Sequence, residues 1–298
     1  MDEVELFQTH RGSLFAVAYR MLGSASDAED VIQDAWLRFS AAHGNDVRSV
    51  KAYLTTIVTR LCLDRLKSAR AKREAYVGPW LPEPVVTDAR PGPERLLAQA
   101  ESVTLAFLVL LETLTPEERA VFLLREVFNY EYDEIAAMLE VTSANCRQLF
   151  HRAKGRLAEG KPRVRANLEE LRPLVERFVQ AFRDGSEEAL TDVLAADVGF
   201  WSDGGGKVTA AGRPVFGREP VARMLAGFRR AAVARGMTLA LVTHEITEVN
   251  GEPALLQRVD GQLDGVYVLS VADNAIAAIR VIRNPDKLIY LQRQIVSH

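Results

Sequence analysis

The chain has 298 residues, 48% of them hydrophobic, which is enough to bury a sizeable core and to form roughly two domains. Its 37 basic and 40 acidic residues leave a net charge of −3 and exclude a uniformly basic nucleic-acid binder, so any polyanion surface must come from local segregation of charge. Cys62 and Cys146 lie far apart inside amphipathic patterns, as buried thiols of a reducing compartment do, and no metal-ligand spacing is present, so neither metal nor cofactor is expected. The acidic start MDEVELFQTHRG lacks an apolar signal-type core, and the longest apolar run, VTLAFLVLL (103–111), is too short to span a bilayer; a cytoplasmic location is expected.

The first segment reads as helical throughout. Ser26 and Glu29 have capping-box spacing and open the helix DAEDVIQDAWLRFSA. Val31, Ile32, Ala35, Trp36 and Phe39 recur at helical spacing and should face the core, leaving Asp27, Asp30, Gln33 and Asp34 outside, which by pattern alone reads as a solvated polar face. A second helix over about 50–75 has an apolar stripe of Tyr53, Leu54, Ile57, Leu61 and Leu66. Its other side carries Lys51, Arg60, Arg65, Lys67, Arg70, Lys72 and Arg73 with few acids, Asp64 among them, which points to a polyanion. Residues 76–95 contain five prolines and two glycines and read as a linker, in which the WLPEP stretch with Trp80 is expected to dock on something.

Helices resume at Leu96, and Thr115-Pro116-Glu117-Glu118 supplies a cap, a proline at the first helical position and a carboxylate at the third. A helix to near Val127, a short helix YDEIAAML, a corner at Glu140-Val141 and a helix from Ser143 capped by Thr142 make a helix-turn-helix. Cys146, Leu149, Phe150 and Ala153 should face inward, and Arg147, Gln148, His151, Arg152 and Lys154 outward, where Arg and Gln can offer paired hydrogen bonds to base edges.

DAEDVIQDAWLRF, YLTTIVTRLCLDRLKSARAKRE and EIAAMLEVTSANCRQLFHRAKGRL occur in this order at family spacing, and residues 1–165 resemble an extracytoplasmic-function (ECF) sigma factor of bacterial RNA polymerase. The resemblance implies region 2 over 1–75, a linker over 76–95 and a region 4 helix-turn-helix over 96–165. It implies that Asp30, Gln33 and Asp34 bind the core polymerase. Arg48, in the loop HGNDVRS, with Lys51, Arg60, Arg65, Lys67 and Arg70 would engage the −10 element. Ser143, Asn145, Arg147, Gln148, His151, Arg152 and Lys154 would read the −35 element. Two positions depart from the family pattern: Glu140 stands where glycine is common, at about 1 kcal/mol if its backbone is left-handed, and Arg60 stands where Asn is common.

Past residue 165, ANLEELRPLVERFVQAFRDGSEEALTDVLAADV reads as two amphipathic helices. Strand-like stretches follow: VGFWSD, KVTAAG, TLALVTHEITEV, PALLQRV, GVYVLSVA and AIAAIRVIRN. The expected fold of 166–298 is α+β, helices on a curved antiparallel sheet, similar to the SnoaL-like group of NTF2-like cones, beside two all-α sigma domains. WLPEP, DGGGK (203–207) and NPDKL (284–288) resemble the signatures of the ECF subgroup with such a fused domain. A P-loop needs Lys then Ser or Thr entering a helix, whereas Lys207 is followed by a strand-like run, so DGGGK reads as a hairpin turn. Trp80, Pro82 and Glu83, Asp203, Gly204, Gly205, Gly206 and Lys207, and Asn284, Pro285, Asp286, Lys287 and Leu288 are expected to form one cis-regulatory interface, with NPDKL as a second loop.

His244, Glu245, Asp203 and Asp260 are the candidate pocket groups should the C-terminal domain be an enzyme. The reading adopted is a sigma factor without catalysis, partnered by core RNA polymerase and promoter DNA and regulated in cis. The alternatives are a regulator gated by a small molecule in the C-terminal pocket and an enzyme fused to a DNA-binding module.

Overall fold

The computed structural model describes residues 3–41, 49–87, 104–157, 168–236 and 238–296. Backbone contacts divide the chain into two units, residues 1–75 with 89–162, and residues 76–88 with 163–298. The stretch 76–87 therefore lies with the C-terminal residues.

In the first unit α1 (Glu3–Leu22), α2 (Ala25–Ala41) and α3 (Val50–Glu74) pack on one another around Phe15, Tyr19, Val31, Ala35, Phe39, Leu54 and Val58. Gly23 ends α1 with φ 65°, its N–H on the Tyr19 carbonyl at 2.8 Å. The next residue, Ser24, accepts the Asp27 N–H at 3.1 Å. The cap of α2 is thus Ser24, two residues before the expected Ser26, because the glycine turn closes α1 at that point. Trp36 is half-buried and lies edge-on to Phe7 at 5.1 Å.

After α4 (Leu105–Leu111), the Thr115–Glu118 capping box opens α5 (Pro116–Phe122) as expected. The helix widens into a π turn over Leu123–Val127, where the Phe128 N–H bonds the Leu123 carbonyl at 3.1 Å. The helices α6 (Tyr132–Leu139) and α7 (Ser143–Leu157) then form the helix-turn-helix around Ile135, Met138, Cys146 and Leu149. Glu140 does adopt the left-handed backbone, φ 57° and ψ 43°. Its carboxylate pairs with Arg60 Nη2 at 2.9 Å, while Arg60 Nε donates to the Met138 carbonyl at 2.9 Å, so the two departures from the family pattern meet at the corner. The Thr55 and Tyr130 hydroxyls meet at 3.0 Å, and the buried Arg119 donates to the Met21 carbonyl at 2.7 Å. These bonds join the first three helices to the later four.

The second unit is α+β. Its helices are α8 (Leu168–Asp184), α9 (Glu187–Val193), α10 (Arg218–Ala234) and α11 (Pro285–Val296), and its sheet order is β2-β1-β6-β5-β4-β3. The strands are β1 (Leu194–Asp203), β2 (Val215–Phe216), β3 (Val242–Val249), β4 (Glu252–Val259), β5 (Gln262–Ala272) and β6 (Ala275–Ile282). All neighbouring strands are antiparallel except β1 and β6, whose pairing is parallel. Register shifts at Leu194/Gly199, Gln257/Arg258 and Ser270/Val271 bend the sheet. Val175, Phe178, Val221, Leu225, Phe200, Leu269 and Ile279 fill the space between α8–α10 and one face. On β5, Tyr267 and Leu269 belong to that core, whereas the alternating Val266 and Val268 are buried on the other face, where α11 packs.

Three expectations are corrected. KVTAAG is not a strand: after β1 the chain runs irregularly through 204–214 before β2, so DGGGK opens a long connection instead of a tight hairpin. NPDKL is not a loop but the start of α11, with Asn284 Oδ1 accepting the Asp286 N–H at 3.2 Å and Pro285 as first helical residue. The two helices α10 and α11 were absent from the strand-dominated reading of 198–298. No helix among the described residues is long and apolar enough to cross a membrane.

Candidate functional site

The three motifs of the second unit meet at a buried ion pair. Asp203 ends β1 fully buried, and Lys287, on the first turn of α11, is 7% exposed. Lys287 Nζ lies 2.7 Å from Asp203 Oδ2 and also donates to the Leu81 carbonyl. The ammonium stands 4.2 Å from the Trp80 ring centroid and 4.7 Å from that of Tyr76, so two aromatic faces replace water around it. The carboxylate is satisfied on every side: Oδ2 accepts the Leu81 N–H at 2.8 Å, and Oδ1 accepts the Tyr76 hydroxyl at 2.5 Å and the Gly205 N–H at 3.0 Å. Burial, then the hydrogen bond to Asp203, push the Tyr76 hydroxyl well above its ordinary pKa, so it stays a donor.

Asn284 ties the pieces together. Its side chain donates to the Tyr76 hydroxyl at 2.8 Å, and its N–H and that of Arg283 donate to the Asp203 carbonyl at 2.9 and 2.8 Å. A Cβ on Gly205 would lie 2.3 Å from the Asn284 side chain, and one on Gly206 3.2 Å from Val77. Both residues have positive φ, so the glycines are required twice, by backbone conformation and by close approach. The space that a phosphate cradle would need holds Asn284. At the rim Lys207 pairs with Asp286, both more than half exposed.

From here the segment runs along the sheet's edge. Val85 exchanges bonds with Asn250, N–H to Oδ1 at 3.0 Å and carbonyl to N–H at 2.9 Å. The Thr87 N–H bonds the Glu248 carbonyl at 3.1 Å, and Val86 bridges antiparallel to Val249, the last residue of the edge strand β3. Gln294 of α11 accepts the Val86 N–H at 3.0 Å. Leu81, Pro82, Glu83, Val85 and Val86 are all buried. Tyr76, Asn250 and Gln294 were not among the expected residues; the aromatic at the end of the basic run REAY is the one signal that marks any of them.

A cavity of 740 Å³ opens between α8, α10 and the sheet. Of the candidate pocket groups only His244 lines it. Glu245 points away to Arg258, Asp260 sits on the exposed β4–β5 turn, and Asp203 faces the ion pair, because Ser202 takes the cavity side of β1 and neighbours alternate. His244 Nδ1 accepts from Arg183 Nε at 3.4 Å and Nε2 lies 3.2 Å from Gln257 Oε1; burial and the Arg183 charge hold its pKa below the usual value.

In the first unit Asp30 and Gln33 are exposed and Asp34 is half-buried on one side of α2. Arg65 lies against this same side, 3.4 Å from Asp27 and Asp30 and 3.2 Å from Asp34. Of the residues expected at the −10 element, Lys51 and Lys67 are exposed, while Arg60 and Arg65 are engaged by Glu140 and by the α2 acids. Arg48 and the side chain of Arg70 lie outside the described residues. On α7, Asn145, Arg147, Gln148, His151, Arg152 and Lys154 are exposed. Ser143 hydrogen-bonds Asp133, Arg147 lies 5.3 Å from the Tyr132 ring centroid, Arg152 pairs with Glu118 at 3.6 Å and Lys154 with Glu126 at 3.3 Å.

Residues 6–72 match the family of Sigma-70 region 2 and residues 104–157 that of Sigma-70 region 4. Over 96% of its length the chain is 36% identical to the ECF RNA polymerase sigma factor SigJ of Mycobacterium tuberculosis, covering 93% of that protein. The chain belongs to the ECF RNA polymerase sigma factors. It is 30% identical to the probable ECF sigma factor SigI of the same organism, over 95% of this chain and 93% of the relative. The crystal structure of the M. tuberculosis SigJ superposes with a TM-score of 0.76 at 33% identity, covering 96% of this chain and 98% of that one, the C-terminal α+β unit included.

Replacing Lys287 by Met leaves a buried, uncompensated carboxylate, and such losses cost about 3–5 kcal/mol. Scanning calorimetry of Lys287→Met should show the C-terminal transition lowered by many degrees, with the transition of the helical unit unmoved; an unshifted C-terminal transition overturns the role given to the pair.

Proposed function

We propose that this chain directs core RNA polymerase to promoters through residues 6–72 and 104–157, in the cytoplasm, and that its C-terminal unit regulates that activity in cis without catalysing a reaction. The observation that carries the regulatory half is the Asp203–Lys287 pair closed over Leu81. Residues 76–87 follow directly on α3, the basic helix of region 2. Holding them on the C-terminal sheet removes roughly 40 Å of extended chain from the tether between regions 2 and 4. Release of the latch returns that reach, so the latch governs how far apart the two DNA-reading regions can bind.

The roles of the site residues follow the same reading. Asp30, Gln33 and Asp34 bind the polymerase, Lys51 and Lys67 meet the −10 element from the free side of α3, and Arg60 and Arg65 join them once their present partners let go. Arg147 and Gln148 read the −35 element, and Lys154 acts mainly through phosphate. Of the candidate acids and base only His244 reaches the cavity, where it is engaged by Arg183 and Gln257. The cavity itself favours a small-molecule effector as an added input.

Three outcomes are expected. Asp30→Lys with Asp34→Lys should abolish co-purification with core polymerase while leaving the circular-dichroism helix signal intact; wild-type recovery would sink the assignment. Promoter selection with Arg147→Ala should relax one or two −35 positions, each by about 1–3 kcal/mol of discrimination, and an unchanged preference counts against α7 as the reader. In transcription assays with core polymerase, Trp80→Ala and Tyr76→Phe should shift output several-fold from wild type. Wild-type output from both, with amide exchange of 81–87 visibly loosened, would dissociate the latch from regulation.

A further inference from the structure

The cavity and the latch share two pieces of chain. On the connection 204–214, the glycines close on Asn284 and Val77, and a few residues on Thr209, Ala210 and Ala211 line the cavity. At the end of β6, Arg283 lines the cavity and the next residue, Asn284, holds the latch. On β1 the neighbours Ser202 and Asp203 divide in the same way. A molecule that moves the cavity wall therefore pulls on residues covalently adjacent to Asp203 and Asn284 and a few positions from the glycines, the two sides of the latch that face the tether.

The wall also states what it would accept. Phe182, Phe200, Phe228 and Val281 give it a largely apolar body. Four arginines, Arg183, Arg229, Arg235 and Arg283, face two acids, Asp184 and Asp264, so the lining is net positive. Arg283 is placed as the anchor. Its Nη2 bonds Asp264 at 2.9 Å and its Nη1 the Thr209 carbonyl at 2.8 Å, which fixes the guanidinium plane where it borders the cavity, while its buried Nε meets no partner among the described residues. Beside it run Asp264, Gln257, His244 and Arg183, linked at 2.8, 3.2 and 3.4 Å, with the ring Nδ1 accepting from Arg183. An excess of guanidinium over carboxylate along one side of an otherwise apolar chamber of 740 Å³ suits a ligand with one anionic head and an apolar body, and the volume lies within the usual range for small-molecule sites.

We propose that the cavity is an effector site for amphipathic organic monoanions, held head-first on Arg283, and that its occupancy is transmitted to the tether at residues 76–87; the second half rests on the latch reading above. The full chain should be titrated with anilinonaphthalene sulfonate, an aromatic monoanion that fluoresces when desolvated, and with uncharged N-phenylnaphthylamine of similar body. The sulfonate should bind at one site, roughly tenfold or more tighter than the neutral probe, as one hydrogen bond to a charge requires. Arg283→Gln should remove that preference while keeping the neutral probe, and the cavity-filling Ala232→Trp should block both.

Hydrogen exchange of the Leu81, Val85 and Thr87 amides should change when the sulfonate is added to the wild type and not when it is added to Ala232→Trp. Non-stoichiometric binding, equal affinity for the two probes, or indifference to both substitutions overturns the site. Saturable, Arg283-dependent binding with unaltered exchange at 81–87 overturns the coupling. If instead binding and exchange respond but Trp80→Ala and Tyr76→Phe transcribe like wild type, the site stands and the regulatory reading of the latch falls.

Discussion

The arrangement of the second unit turns on the desolvation of two charges. A carboxylate and an ammonium withdrawn from water lose several kcal/mol each, which mutual attraction restores only with good geometry and a full set of hydrogen bonds. That demand accounts for what surrounds Asp203 and Lys287. The glycines bring a backbone N–H within reach, the tether supplies another N–H, a carbonyl and a phenol, and two aromatic faces cover the ammonium. Remove any one contributor and a polar atom is left in an apolar setting. Three segments far apart in sequence are thus bound into one requirement.

On the exposed faces of the first unit charge is managed differently. Arg65 bridges three exposed or half-exposed acids of α2, and Arg60 holds the helix-turn-helix corner through Glu140, whose side chain is 75% exposed. Pairs of this kind contribute about 1 kcal/mol or less. They are exchangeable: a phosphate or a partner's side chain can replace either member at small cost. On the proposed reading, the face assigned to the −10 element would in this way stay partly covered until a stronger anion arrives.

The helical half was legible because its signals are local. Thr115 and Glu118 cap within one turn, Thr142 caps α7, and the 3.6-residue period sorts Cys146 and Leu149 from Arg147 and Gln148. Ser24 was missed for Ser26 because a glycine closing the previous helix decides which serine is first. The C-terminal strands were found in kind, yet α10 and α11 were not, since Val, Ile and Ala runs around them suit either period. KVTAAG has strand composition but is drawn across the cavity wall instead of into the sheet. Which side Asp203 faces depends on strand parity, and parity is set by tertiary register. Tyr76 could not be paired with Asp203 or Asn284 by any local rule, and the parallel β1–β6 pairing joins strands whose connection is most of the domain.

The run from Leu81 to Thr87 has a bearing on how these proteins can be cut and recombined. It is a strand fragment whose sheet is supplied by residues more than 120 positions later, and its apolar side chains are buried there. A shortened chain ending near residue 165 would keep the fragment and lose its sheet, presenting bare amides and Leu81, Val85 and Val86 to other molecules, the condition under which edge strands self-associate. The portable module is therefore discontinuous, 76–87 together with the C-terminal residues. A chimera joined after the helix-turn-helix would carry a tether matched to the wrong domain.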